Sequence, residues 1–491
     1  MNHGMVRQTS RRAILRLSGL GLLGAAGSAW LAACGGQPPS PTAAPKPTEA
    51  PKPAAEPTKP AAPAAAATPT MAAAAQPKPS GGAPVEVRWE FRGDDISIKG
   101  GEEAVAKLFA PNRPNIKVRI EPAPDQQRDE KLIAAMVAGT APDVFESWTD
   151  NVTQYADRGQ VTDIEPLVKR DYKAEDLKDF YEWQWRDFVL PSGIRFGIPK
   201  YVNVMTLWVN KDQWEKAGQP LPTKDWTHKE YAEAARKLAR VKGAPDDMYG
   251  VRIPMWNWDR FWYRVEMWGG YVANPKDPTE CLLGSEEALA ALEWARELMW
   301  DSKALAQPLA LGGPTASIWP QWAGQKYAAI EEGVYPFRVV REVKNTFKWQ
   351  YAHVPKGPKM RKVLGTTDGY VMWSKTKVPD AAWELMKFQG GKEYQEAQVG
   401  WSGLIPVRHS VLDKWKSIVI KAYPELEAAN VDVGVEAMKE GYPGNRVLFK
   451  KDAEARQIIV PALEKLFVSG NTPVTYMKEI AEQVTKKMRE A

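Results

Sequence analysis

Residues 19–24 read GLGLLG, a spacing that in a dinucleotide-binding unit turns the chain tightly and lets backbone N–H groups approach a phosphate. That chemistry needs a strand before the glycines, a helix after them and an acidic residue about 20 positions further on. None is present: Arg11, Arg12 and Arg16 precede Gly19, and Ala25, Ala26, Gly27 and Ser28 lead toward a proline-rich tract. The other reactive residue types are equally scattered. His3, His228, His353 and His409 lie far apart, and no HExxH or CxxC spacing exists, so no transition-metal site and no cofactor are expected. Asp94-Asp95 and Glu331-Glu332 are adjacent carboxylates, but sequence neighbours point apart on a helix or strand, so each reads as a solvated pair rather than an acid/base dyad. Neither GxSxG nor GxxxxGK occurs. The chain has two cysteines, Cys34 and Cys281.

Leu17 to Ala33 is free of charge and shorter than the roughly 18 apolar residues of a membrane span. A basic start, an apolar middle and small residues at the end read as an export signal over residues 1–33. Ser10-Arg11-Arg12 with Ile14, Leu15 and Arg16 resembles the twin-arginine motif SRRxFLK, with Ile14 in place of phenylalanine. Leu31-Ala32-Ala33-Cys34 resembles a lipobox, whose cysteine is lipidated and becomes the new N-terminus. The alternative is a cleaved signal with an idle cysteine. Loss of residues 1–33 removes four arginines and no acid, so the net charge falls from +6 to +2. A near-neutral mature chain has no electrostatic footprint for nucleic acid. With Cys34 at the lipobox, Cys281 stands alone, which excludes an internal disulfide in the mature fold even though the exported compartment would permit one.

Residues 34–84 join this anchor to the body. From Gln37 on they lack aromatics and consist almost wholly of Ala, Pro, Thr and Lys, too little apolar surface to offset ordering entropy. The segment reads as a disordered tether reaching on the order of 150 Å when extended at about 3.1 Å per residue. It serves equally as a leash or as a plain spacer.

From Val85 the composition becomes globular, and the length suits two lobes better than one core. VEVRWEF alternates as a strand; IKVRIEP follows a helical segment, and RDEKLIAAMVA then predicts a helix closed by Gly139 before a strand at DVFES. This βαβα order predicts an α/β fold with a parallel or mixed sheet covered by helices. Thr227 and Glu230 are spaced as a capping box, with Trp226 and Tyr231 placed as a hydrophobic staple. Ala288, Ala291, Leu292, Ala295, Leu298 and Met299 share one helical face. Further strands are expected at GIRFGIP, VMTLWVN, YGVRIP, WQYAHVP and YVMWSKT.

Several stretches, in order, resemble the extracellular solute-binding proteins of ATP-binding-cassette importers, in the family that includes maltose- and oligosaccharide-binding proteins. They are AGTAPDVF, GIPKYVNVMTLWVNKDQWEKAG, KDWTHKEYAEAARKL, AGQKYAAIEEGVY, GTTDGYVMWSKTKVPDAAWELMKFQGGKEYQEA and GLIPVRHSV, and together they span most of residues 85–491. The resemblance implies a two-lobed periplasmic-binding-protein-like fold with a hinge of crossing strands and a ligand cleft between the lobes. Lobe one would take 85–202 plus 371–410, and lobe two 203–370 plus 411–491. It also implies a monomer, exported and held by lipid on Cys34 at the outer face of the cytoplasmic membrane or in the periplasm. There it would deliver a small-molecule solute, a carbohydrate, to permease subunits, without being an enzyme.

The chain is rich in indole, with 21 Trp against 16 Tyr and 12 Phe. Trp294, Trp300 and Trp383 sit beside apolar partners on helix faces and read as packing. Where the family places ligand contacts stand Trp89, Trp148, Tyr201, Asn203, Trp256, Trp258, Trp262, Tyr335 and Trp401, with Asp150, Asn257, Asp259 and Asp368 as polar partners. A flat indole suits the apolar face of a pyranose, and carboxylates or amides can hydrogen-bond its hydroxyls. The GTTDG segment departs from the family by lacking the glycine pair usual before the aromatic. Two rival readings stay open: a lipid-anchored glycoside hydrolase using a pair such as Asp150 and Glu331, and a binding protein for a non-sugar solute such as an amino acid derivative or polyol phosphate.

Overall fold

The computed structural model describes residues 84–123, 128–156, 158–240, 248–309, 313, 318–343 and 346–490. The export signal, Cys34 and the tether up to residue 83 lie outside the described residues. Nine strands are described: β1 (Val85–Phe91), β2 (Ile116–Pro122), β3 (Val144–Trp148), β4 (Gly197–Asn210), β5 (Tyr249–Arg252), β6 (Tyr327–Gly333), β7 (Trp349–Ala352), β8 (Val363–Met372) and β9 (Pro443–Gly444). They are ordered β2-β1-β3-β8-β4-β6-β5, with β7 paired to β4 and β9 to β8.

β1 runs parallel to β2 from Val85 opposite Ile116 to Phe91 opposite Pro122, and β1 also pairs in parallel with β3. β5 and β6 form a second parallel pair. Between these two groups lie β8 and β4, antiparallel to each other. β4 changes partner along its length: Gly197–Val204 pairs with β8, Met205–Val209 with β6, and Leu207–Asn210 with β7. Together with β8, which pairs with β3, it ties both groups of strands together.

GIRFGIP and VMTLWVN, expected as separate strands, meet in this one element of 14 residues, every one buried except Tyr201. A strand covered on both faces loses the alternation that marks a half-buried one, which is why its continuity is hidden in the sequence. The ladder shifts register between Pro199 and Tyr201, leaving Lys200 as the extra residue of a bulge. Bulges re-aim side chains, and Lys200 turns its ammonium onto Glu146 of β3 at 2.5 Å.

The helical expectations follow local chemistry. Gly139 takes φ 76° just after the helix Arg128–Ala138, a left-handed conformation that glycine adopts without a Cβ clash. Glu230 accepts from the Thr227 N–H at 2.8 Å, completing the capping box of the helix His228–Leu238. The helix Glu286–Arg296 buries Ala288, Ala291, Leu292 and Ala295.

The adjacent glutamates of β6 correct the sequence reading, since neither is solvated. Glu331 is fully buried and accepts from Arg264 at 2.6 Å, Tyr263 at 2.9 Å and Tyr231 at 3.3 Å. Glu332 accepts from Arg260 at 2.7 Å. Burial opposes ionisation of Glu332, but Arg260 and the Gly333 N–H outweigh it and hold the carboxyl below its ordinary range. Their side chains do point apart, as alternation requires, but each meets a guanidinium rather than water. Replacing Arg264 by Leu strands the Glu331 charge, and chemical denaturation of Arg264→Leu should show a loss of about 3–5 kcal/mol.

Glu266, in the helix Trp262–Met267, is mostly buried with Lys362 4.0 Å away. Burial pushes its carboxyl up to about 7, with Lys362 only partly opposing. The native state thus keeps a proton that the unfolded chain releases near 4.5, so this group's contribution to stability falls as pH rises from about 4.5 to 7. Over that window the native protein should lose about 3 kcal/mol more than Glu266→Gln, measured by urea unfolding at each pH.

Candidate functional site

β1 and β6 lie on opposite sides of the central β8–β4 pair, and the segments that leave them face each other across a cleft of about 320 Å³. Open α/β sheets offer ligands a crevice at such carboxyl ends. One wall is Phe91 to Asp94 with Ser97; the opposite wall is Tyr335, Phe337, Arg338 and Arg341. Lys200, Tyr201 and Asp368 form the floor, and Gln398, Trp401, Ser402 and Leu404 close one side.

Strand register builds the floor. Asp368 lies opposite Tyr201 on β4 and opposite Trp148 on β3. Its Oδ2 accepts from the Tyr201 hydroxyl at 2.5 Å and from Arg92 at 3.3 Å, while its Oδ1 is buried with no partner among the described residues. Burial, then the Asp368 charge, drives the Tyr201 hydroxyl well above its ordinary pKa, so it remains a donor. Arg92 also lies 4.5 Å above the Trp148 ring. Beneath Lys200, Glu146 is fully buried and accepts from the Arg92 backbone N–H at 3.1 Å. The floor is therefore a chain of donors and acceptors fixed by the ladder, with an unused carboxylate lone pair on Asp368.

The walls are aromatic. The Trp401 indole packs on Gly100, where a Cβ would come within 2.4 Å of the ring, so only glycine lets the indole lie against the helix Asp95–Ala104. Tyr335 accepts a hydrogen bond from the Asn203 amide, and the Asn203 carbonyl oxygen accepts from the Val334 N–H at 2.8 Å. Asn203 thereby fixes the turn that aims Tyr335 and Phe337. Asp94 caps the helix Asp95–Ala104 through the Ser97 N–H at 2.8 Å. Burial works against its ionisation, but the Ser97 hydrogen bonds and Arg341 outweigh it and lower its pKa.

Of the residues singled out by sequence, Tyr201, Tyr335, Asp368 and Trp401 line the cleft. Trp148 stands beside it under Arg92. The side chain of Asp150 lies outside the described residues. The remainder are placed elsewhere. Trp89 is wholly buried against Phe91, Tyr370 and Tyr394, because an inward position of β1 belongs to the core. Asn203 is a buried clip rather than a lining residue. Trp256, Trp258 and Trp262 are all under 5% exposed. Arg252 lies 5.6 Å over Trp256, Arg446 lies 4.3 Å over Trp258, and the Trp262 indole donates to the Asp259 carbonyl at 2.9 Å. Asn257 sits in that same turn, its carbonyl accepting from the Arg260 N–H at 3.1 Å, and Asp259 faces Arg260 at 3.5 Å. The MWNWDRFW stretch is a packed corner, with guanidinium groups over the Trp256 and Trp258 rings. Sequence reasoning missed Arg92, Lys200, Arg338 and Arg341, whose only signal was their place within six positions of the singled-out aromatics in WEFRGDD, PKY and VYPFRVVRE.

Comparison with known proteins agrees with this architecture. Residues 97–396 match the family model of the bacterial extracellular solute-binding protein. A binding protein of Brucella abortus (strain 2308) is 23% identical over 319 residues, covering 64% of this chain and 74% of that protein. Among solved structures, an ABC substrate-binding protein of Listeria monocytogenes in complex with cycloalternan superposes with TM-score 0.70 at 21% identity, over 82% of this chain and 99% of the other. A solute-binding protein of Thermotoga lettingae bound with alpha-D-tagatose gives TM-score 0.66 at 18% identity, over 82% and 100%. The fold is the two-lobed one of periplasmic binding proteins.

Placement in cleft or core predicts opposite outcomes for two tryptophans. Trp401→Ala should weaken binding of the solute by at least about tenfold, some 1.4 kcal/mol by calorimetry. Trp258→Ala should instead cost about 3–5 kcal/mol of folding stability and leave the affinity of the folded fraction unchanged. The family match, covering more than half of the chain, and the interlobe cleft lead to one assignment: this chain belongs to the bacterial extracellular solute-binding protein family.

Proposed function

We propose that the protein is the substrate-binding lipoprotein of an ATP-binding-cassette importer, capturing a sugar or short oligosaccharide by lobe closure and handing it to the permease. The observation that supports this best is the cleft itself. Aromatic faces of Trp401, Tyr335 and Phe337 stand over a polar floor where Asp368 keeps an open lone pair, the combination that suits a ring with one apolar face and many hydroxyls. The ligands named for the two solved structures above, cycloalternan and alpha-D-tagatose, are carbohydrates. A cavity of about 320 Å³ is at the small end for ligand sites, in keeping with one or two sugar rings.

In this reading the lobes divide as 85–202 plus 371–410 and 203–370 plus 411–491, the partner change of β4 after Val204 supporting the first boundary. The mature chain is a monomer tethered through lipid on Cys34, with residues 34–84 giving it reach outside the cytoplasmic membrane. Among the described residues no helix is long and apolar enough to cross a membrane. The protein binds its solute without turning it over: Glu331, one half of the hydrolytic pair weighed above, has its oxygens engaged by Arg264, Tyr263 and Tyr231 away from solvent.

The solute must stabilise the closed form through contacts it makes only there. A thermal-shift screen over mono- and oligosaccharides should give at least one sugar that raises the melting temperature, by mass action, and that is recovered chemically unchanged after incubation. Release of shorter sugars in proportion to protein concentration would overturn the binding reading.

A further inference from the structure

Arg341 lies in the turn Val339–Val343, on the wall that follows β6, and its guanidinium crosses the mouth of the cleft. It donates to the Asp94 carboxylate at 3.2 Å and to the Trp401 carbonyl at 2.9 Å. Asp94 follows β1, and Trp401 packs against Gly100 of the helix that Asp94 caps, so both acceptors belong to the opposite wall. At its root the Arg341 side chain is held in place: Nε donates to the Tyr423 hydroxyl at 2.8 Å, and the guanidinium lies 5.3 Å from the Phe337 ring centroid.

A second observation marks the same seam. Gly403 takes φ 69°, and a Cβ there would lie 2.6 Å from the Phe337 ring. A bare backbone on one wall thus meets an aromatic edge from the other directly beside the Arg341 contacts. We propose that Arg341 is a closure latch, a positioning residue that sets how far the β1 and β6 walls approach by gripping Asp94 and the Trp401 carbonyl. It rests on the capture reading in that closure is what brings a solute under Trp401.

The physics favours a latch over a permanent weld. Asp94 is 41% exposed on its side chain, so its pairing with Arg341 is partly screened and can be exchanged for water at modest cost. The bond to the Trp401 carbonyl is charge-assisted and less exposed, with the Arg341 side chain only 16% exposed. A contact of this strength made in one state and lost in the other biases a two-state equilibrium severalfold without freezing it.

Hydrogen exchange of the full chain, read by mass spectrometry with no added sugar, separates the latch from solute capture. Asp94→Asn keeps an N-cap for Ser97 and removes the charge; Arg341→Gln removes the fork. Each should speed exchange of residues 92–97 and 398–404 about fivefold while β8 is unchanged. The double variant should be no faster than Arg341→Gln alone, since that change already removes both contacts of the grip. In 1 M salt the difference between native protein and Asp94→Asn should shrink. Unchanged exchange in both single variants, or fully multiplicative effects in the double, would overturn the latch. Failure of every sugar to bind would count against the capture reading and leave this measurement standing.

Discussion

The antiparallel pairing of β4 with β8 is the constraint on which the remaining structure depends. Those two strands stand between the two parallel groups, β8 pairing with β3 on one side and β4 with β6 on the other. Their register decides which side chains face the cleft. Asp368 lies between Trp148 and Tyr201 because three strands are aligned at that level, and a slip of one residue would turn the carboxylate into the opposite layer. The bulge at Lys200 then sets the ammonium onto Glu146, so the floor is polar without an uncompensated charge.

A second regularity is the pairing of aromatic rings with cations. Arg92 covers Trp148, Arg338 covers Trp319 at 4.5 Å, Arg195 covers Trp185 at 4.4 Å and Arg446 covers Trp258. A guanidinium is planar and weakly hydrated, so it stacks on indole with little loss of solvation. This gives much of the tryptophan wealth a structural purpose. Indole surface that composition alone would assign to sugar is largely spoken for, and the cleft draws on a smaller set of rings.

Much of the fold was legible because its signals are local. The Gly139 stop, the Thr227–Glu230 box and the apolar stripe from Ala288 to Met299 depend on residues within a few positions of one another. The site was legible only in part, and the reason is geometric. Tyr201, Tyr335, Asp368 and Trp401 reach the cleft because they stand on or just after sheet strands or at a helix end that faces it. Trp256, Trp258 and Trp262 look the same in sequence, but their turn folds inward beneath Arg252 and Arg446. Arginine positions were passed over because nothing local distinguishes a cation that lines a cleft from one on a solvated face. The buried Glu331 and Glu332 were misread for a related cause: their partners, Arg264 and Arg260, stand about 70 residues earlier in the chain.

The central ladder also has a consequence in time. Tyr201 and Asp368 are separated by 167 residues, so β4 is made long before the strand that must cover it. At roughly 5–20 residues per second of synthesis, its apolar edge waits on the order of 10–30 s for β8. Through that interval the nascent chain presents an open sheet edge, the feature most prone to pair with a neighbouring copy. The order of these strands in the chain thus adds a hazard during synthesis that the finished ladder, with that edge of β4 covered by β8, no longer carries.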